Sequence, residues 1–242
     1  MKYCFYFIVF LGIYLFSCQK EKKIIHIEEH TSLSSIIKKN SNKRNILLFI
    51  KNDDCDVCKE YYNYVETNFA KLVAPKLPDN TDVYLVSIND FKSPNMWLFH
   101  ILEGYSFPTV LFIEKGIDVK SLFKGGDLYA FDNFLNNLNQ EKKIDNPNLA
   151  VNTEALKKYS LLLQGYINLK ENNKITETIY KQVGKLINAE RPTFISALIE
   201  AYYYKNNRIH PERIAFIKSF LLKNIASSNS YFVTQQKLVE EL

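Results

Sequence analysis

Residues 46–58 read Ile46-Leu47-Leu48-Phe49-Ile50-Lys51-Asn52-Asp53-Asp54-Cys55-Asp56-Val57-Cys58. The opening apolar run suits a strand buried on both faces. A polar loop follows, and it delivers two cysteines, separated by Asp56 and Val57, to what reads as the start of a helix. Further along, Phe107-Pro108-Thr109 leads into a second apolar run, Val110-Leu111-Phe112-Ile113. A strand that hands a cysteine pair to a helix, followed later by a strand headed by proline, points to an α/β scaffold carrying thiol chemistry.

That chemistry has a physical basis in the position of the pair. Attack on a disulfide requires a thiolate, so one cysteine must lose its proton near neutral pH. A cysteine at a loop–helix junction faces unpaired backbone N–H groups and the positive end of the helix dipole, and both favour the anion. Two intervening residues let the second thiol fold back and resolve a mixed disulfide. On this reading Cys55 is the exposed nucleophile and Cys58 the buried resolving thiol. The bland alternatives are a structural disulfide or half of a zinc site; the chain holds no second Cys-x-x-Cys to complete a zinc ligand set.

Outward from this centre, Ser32–Lys39 is predicted as a short first helix with Leu33, Ile36 and Ile37 on one face. Ile46–Lys51 is the first central strand, and Cys55 to Ala74 a helix with Tyr62, Val65, Phe69 and Val73 at helical intervals, stopped by Pro75 and Pro78. Val83–Ile88 reads as a strand, Asn95–Leu102 as a short helix and Thr109–Glu114 as a strand. Lys115-Gly116 is a hairpin turn, Lys120–Lys124 a strand and Leu128–Leu138 a closing helix.

The order of these elements, with Cys55-Asp56-Val57-Cys58 at a helix start and Phe107-Pro108-Thr109 before a strand, resembles the thioredoxin family. The resemblance covers residues 30 to 140. It implies a thioredoxin-like α/β fold, a central mixed sheet flanked by helices, and thiol–disulfide oxidoreductase activity. It also implies that Pro108 is cis and that the backbone of Phe107 pairs with an extended substrate facing Cys55, with Asp54 as a further substrate contact. Gly125-Gly126 is similar to the glycine corner before the family's last helix. There are departures too. Phe49 stands where many relatives carry a buried acid, Asp54 replaces the usual tryptophan, and Asp56-Val57 replaces the frequent Gly-Pro. Asp53, Asp54 and Asp56 crowd the nucleophile against only Lys51 and Lys59, which disfavours the thiolate. Asp53 and Asp54 also stand where a helix N-cap belongs.

The N-terminus reads as a targeting segment. Lys2 is a minimal positive region, Tyr3–Phe16 is apolar apart from Gly12, and Leu15-Phe16-Ser17-Cys18 resembles a bacterial lipobox. The expected layout is a signal peptide over 1–17, with Cys18 lipidated and 18–30 serving as a tether. An ordinary signal peptide and an uncleaved anchor are the alternatives. The body would then lie in the cell envelope, where disulfides form. Gln19 does not match the aspartate of inner-membrane retention, so the outer membrane is expected, facing the periplasm or the cell surface. With Cys4 removed and Cys18 modified, Cys55 and Cys58 are the remaining thiols of four in the chain. The fold must therefore stand on its core rather than on disulfide staples.

The net charge is +5, and loss of residues 1–17 removes only Lys2 and leaves +4. The lysines are spread among acids, which gives no basic stripe and no expectation of nucleic-acid binding. Sixteen tyrosines and seventeen phenylalanines fall mainly at helix or strand spacing and are assigned to the core. His26-Ile27-Glu28-Glu29-His30 spells an inverted zinc-protease pattern, but it alternates like the start of an edge strand, and no metal is expected. His100 is assigned to surface or packing. No cofactor is required, because the dithiol is itself the redox group.

After Leu138 the composition shifts. Asn139–Asn148, with Pro147, is polar, and 141–150 is read as a linker. Residues 151–242 read as helices: a run capped by Thr153, then Ile175–Ile187, Thr193–Tyr204 after Pro192, His210–Leu222 and Tyr231–Leu242. Two hairpins faintly resemble tetratricopeptide repeats; a small bundle docked on the 31–140 domain is the plainer reading. Residues 20–140 are expected to fold alone. The function expected is disulfide reduction or exchange in protein substrates, with electrons drawn from another thiol protein such as a membrane thiol relay. The alternative is a non-catalytic binding or assembly lipoprotein whose C-terminal helices form the partner-binding module.

Overall fold

The computed structural model describes residues 22–28, 30–90, 93–104, 106–125, 127–138, 153–186, 193–227 and 232–242. The expected signal peptide, Cys18, Glu29, Gly126, the 141–150 linker and Pro192 lie outside the described residues.

Five strands form one sheet: β1 (Ile24–Ile27), β2 (Asn45–Lys51), β3 (Thr81–Ser87), β4 (Thr109–Glu114) and β5 (Asp118–Lys124), in the order β1-β3-β2-β4-β5. β1 and β2 run parallel to β3, β4 runs antiparallel to β2, and β5 runs antiparallel to β4. Helices α1 (Leu33–Asn40), α2 (Asp56–Asn68), α3 (Trp97–Ile101) and α4 (Leu128–Asn137) connect and flank them. This topology is the thioredoxin-like fold. β1 is the edge strand that the alternation around His26 foreshadowed.

β2 is buried over Ile46–Ile50, and its alternate residues supply two separate cores. Leu47 and Phe49 face a cluster with Tyr61 and Val65 of α2 and Phe131, Phe134 and Leu135 of α4. Ile46, Leu48 and Ile50 face the other cluster, which contains Leu33 and Ile37 of α1 and the buried face of α3.

Helix α2 departs from the single helix expected to Ala74. After Asn68 the chain widens into a π-helical turn, Phe69–Val73, and then tightens into a 3-10 turn, Ala74–Lys76. Pro75 has no N–H to donate and crowds the carbonyl four residues back, so the regular ladder cannot run through it. The β4–β5 turn carries Gly116 at φ 83° and Ile117 at φ 65°. The strain at Ile117 is held by burial of its side chain and by Gln164 Nε2, which donates to Ile117 O at 3.2 Å.

The C-terminal region consists of α5 (Thr153–Asn172), α6 (Glu177–Leu186), α7 (Phe194–Asn207), α8 (Pro211–Ser227) and α9 (Gln236–Glu240). Among the described residues it forms no separate core. Its buried residues, among them Leu162, Tyr166, Ile195, Leu198 and Tyr202, belong to the same cluster as the α1/α3 face of the sheet. Tyr166 of α5 stacks on Trp97 of α3 at 4.5 Å between ring centroids. Val119 N donates to Ser160 Oγ at 2.8 Å, and Glu171 accepts from the hydroxyls of Ser34 and Ser35 at 2.6 and 2.8 Å. The end of the chain is pinned by Tyr166 Oη, which donates to Gln235 Oε1 at 2.6 Å, and by Tyr202 Oη, which donates to Leu238 O at 2.8 Å.

Independent folding of residues 20–140 would strip Tyr166 from Trp97 and the helices from the shared cluster; full exposure of a large apolar side chain costs on the order of 1.5–3 kcal/mol out of a total that for small domains is about 5–15 kcal/mol. A chain ending after Gln140 is therefore expected to unfold at a markedly lower urea concentration than the full chain and to bind a hydrophobic dye. An unchanged midpoint without dye binding would show that the helices add nothing to the sheet.

Candidate active site

The loop from β2 to α2 is shaped by its polar residues. Asn52 Oδ1 accepts from Asp54 N at 2.8 Å, and Cys55 N donates to Asn52 O at 3.1 Å, which makes a tight turn. The loop is then tied to the end of β3: Asp53 N donates to Asn89 Oδ1 at 2.8 Å, and Asn89 Nδ2 returns a bond to Asp53 Oδ2 at 2.6 Å. Ser87 Oγ and Lys51 Nζ also reach Asp53 Oδ1, at 3.2 and 2.8 Å. The Lys51 ammonium, helped by Asn89 and Ser87, holds the Asp53 carboxyl below the usual range against the opposing effect of burial.

The turn delivers Cys55 to the N-cap of α2, where its Sγ accepts from Cys58 N at 3.2 Å. The capping role expected of Asp53 and Asp54 thus falls to the cysteine. The helix starts at Asp56, so the cap is one residue past the aspartates, and Asp53 is engaged with β3 instead. Cys55 and Cys58 are joined in a disulfide, with Cα atoms 5.2 Å apart. Cys55 is half-buried, whereas Cys58 has no exposed surface.

The helix that the pair opens runs into an aromatic cluster. Tyr61, one turn after Cys58, packs against Phe131 at 5.2 Å, Phe123 at 6.0 Å and Phe49 at 6.5 Å. Phe49 is fully buried. Burial, with lesser contributions from the charges of Asp127 and Glu60, pushes the Tyr61 phenol up to about 12, so it stays protonated at neutral pH. Asp82 is the one buried carboxylate among the described residues. It pairs with Arg44 Nε at 2.6 Å at the far end of the sheet, where β2 and β3 begin.

The rim is acidic but partly compensated. Asp56 pairs with Lys59 at 2.9 Å, which lowers the carboxyl and raises the ammonium. Asp54 and Glu60 are exposed and form no ion pair among the described residues. Lys51 lies over the Tyr62 ring at 4.0 Å, and Tyr62 Oη is 2.7 Å from His26 Nδ1.

Pro108 reaches this place through strand register. Thr109, the first residue of β4, is opposite Ile50, near the end of β2. Pro108 therefore lies at the same sheet end as the cysteine loop. The Phe107–Pro108 peptide is cis; Pro108 is buried and Phe107 half-buried. Gly125, at φ 65°, donates its N–H to Pro108 O at 3.0 Å. Asp54, Cys55, Cys58, Phe107 and Pro108 thus share one end of the sheet. His26 Nε2 lies 3.2 Å from Glu66 Oε1, and among the described residues no group of three His, Cys, Asp or Glu is placed to hold a metal ion. The His100 ring lies 4.2 Å from that of Phe232, tilted by 31°, and serves packing. Asn52, Ser87 and Asn89 escaped sequence reasoning, because a polar loop residue gives no sign of which distant segment it will bind.

No family model matches the chain, and no curated protein matches it. Among solved structures it is similar to oxidised thioredoxin O2 from Arabidopsis thaliana. That match has 16% identity, covers 48% of this chain and 95% of the other, and has a TM-score of 0.38. The fold assignment rests on the strand order and directions described above.

Replacement of Asp54 and Asp56 by Asn removes like charge beside a Cys55 thiolate and leaves Lys59 uncompensated. The reduced form should gain, and the disulfide should become more oxidising. Redox titration against glutathione checks this; an unchanged or more negative potential would refute it.

Proposed function

We propose that the protein is an extracytoplasmic thiol–disulfide oxidoreductase acting on protein disulfides. The observation that carries this reading is the half-buried Cys55 at the N-cap of α2, disulfide-linked to a fully buried Cys58, at the sheet end that also holds Pro108. In the reduced protein the Cys58 N–H and the α2 dipole favour a thiolate at Cys55. The Cys55 thiolate attacks one sulfur of a substrate disulfide. A mixed disulfide forms, and the other substrate sulfur leaves as a thiolate and takes up a proton. Cys58 then loses its proton and attacks Cys55 Sγ. The second substrate thiol is released and the Cys55–Cys58 disulfide closes, so two electrons pass from protein to substrate.

Phe107, Pro108 and Asp54 would line the substrate strand. With Phe49 in place of a carboxylate, no acid on β2 takes the Cys58 proton, so this second step should depend on solvent or on the departing substrate thiolate as base. A further thiol protein, such as a membrane relay, would return the electrons.

Cys55 is expected to alkylate faster than Cys58 in the reduced protein, and Cys55→Ser to abolish insulin reduction. Mass spectrometry of partial alkylation decides the first point. Equal or reversed labelling would overturn the assignment of roles.

Attachment through lipid on Cys18 is the companion proposal, and its support is the Leu15–Cys18 sequence. Cys18→Ser should abolish acyl labelling and free the body from the membrane fraction; persistent labelling would reject it.

A further inference from the structure

The loop that carries Phe107 and Pro108 is held from several sides. It leaves α3 at Leu102 and passes Glu103, which sits at φ 54°, a left-handed conformation costly for a side chain other than glycine. Gly104 N donates to Phe99 O at 3.3 Å, and Thr109 Oγ1 donates to Ser106 O at 2.6 Å. Lys124 of β5 draws its ammonium in against Leu102 O at 2.9 Å, and burial lowers its pKa. Phe99 meets Phe107 edge to face at 5.2 Å.

Two of the remaining supports come from the C-terminal helices. Lys158 of α5 forms an ion pair with Glu103, with the lysine side chain only 24% exposed. On the back of α3, Trp97 stacks on Tyr166, and His100 packs on Phe232, which in turn stacks on Phe194 at 4.2 Å. The strained residue at the root of the loop, itself 39% exposed, is therefore paired with a charge lying more than fifty residues away in sequence, on a helix outside the thioredoxin-like unit.

We propose that Lys158 is a positioning residue for disulfide exchange: through Glu103 it fixes the loop bearing Phe107 and Pro108, so that the C-terminal helices set how firmly an extended substrate polypeptide is held beside Cys55. The proposal rests on the redox reading given above. Lys158 touches neither cysteine and leaves the dithiol's own chemistry unchanged. Its effect falls on substrates that present a backbone strand, not on small disulfides that present none.

The test compares K158E, E103K and the double exchange K158E/E103K in the full chain, with circular dichroism as a check on folding. Insulin serves as the strand-presenting substrate and hydroxyethyl disulfide as the small one. K158E is expected to raise KM for insulin about two- to five-fold, the range of a partly exposed ion pair. Its rate on hydroxyethyl disulfide and its reduction potential should match wild type, and the double exchange should recover only part of the loss, because Lys124, held at Leu102 O, also feels the charge at position 103. An unchanged KM for insulin or an equal loss on both substrates would overturn the proposal. Amide exchange gives a readout independent of turnover. Gly104 and Gly125 donate to Phe99 O and Pro108 O, so both should exchange faster in K158E, and unchanged protection would also overturn it. A wild-type protein inert toward both disulfides would defeat the redox reading instead, while amide exchange would still decide whether Lys158 holds the loop.

Discussion

The antiparallel pairing of β2 with β4 is the interaction on which the site depends. It sets Ile50 opposite Thr109, so the loop leaving β2 toward Cys55 and the proline entering β4 meet at one end of the sheet. Side chains alternate along a strand, and a slip of one residue would exchange the faces of the whole strand. Leu47 and Phe49 would then face the helical region, and Ile46, Leu48 and Ile50 would face α2 and α4. Both faces of β2 are filled by large, specific partners, so that slip would cost packing on both sides at once. The register of the core therefore fixes the geometry of the chemistry.

The two faces of the sheet do different work. The α2/α4 face builds an aromatic cluster of Phe49, Tyr61, Phe123 and Phe131 on the helix that the cysteines open. Among the described residues this face holds no buried carboxylate. Acidic groups are confined to the rim, where Lys51 holds Asp53 and Lys59 holds Asp56. These exposed pairs contribute little to stability; their weight lies in the local potential felt by a thiolate at Cys55. The tie of Asp53 to Ser87 and Asn89 gives that charge a second task, since it fastens the cysteine loop to β3.

The α1/α3 face is given over to the C-terminal helices. Trp97, fully buried against Tyr166, marks the centre of that contact. Because α3 carries Phe99 toward Phe107 and Trp97 and His100 toward the helices, it lies between the helical region and the substrate loop. A helical extension packed in this way is part of the core of the sheet as well as an addition to it.

The sequence by itself determined the fold class and the thiol pair. The run Ile46–Ile50 declares a doubly buried strand, the cysteines follow it at a helix start, and the apolar run after Pro108 declares its neighbour. Such signals are local and periodic, so they survive without knowledge of the rest of the chain. Helix caps were less legible: Thr153, assigned as a cap, is the first residue of its helix, whereas Ser32, Asp127 and Thr193 cap theirs by accepting from a backbone N–H three residues on. What only the tertiary structure decided was every partnership between segments far apart. Sequence reasoning gave Asp53 to the helix cap, but Asn89 and Lys51 claim it. It divided the chain at a polar stretch, but the hydrophobic cluster runs from the sheet into α5 and α7. A lysine such as Lys158 is indistinguishable in sequence from any solvated one, because a long flexible side chain carries no mark of the carboxylate that the fold will bring to it.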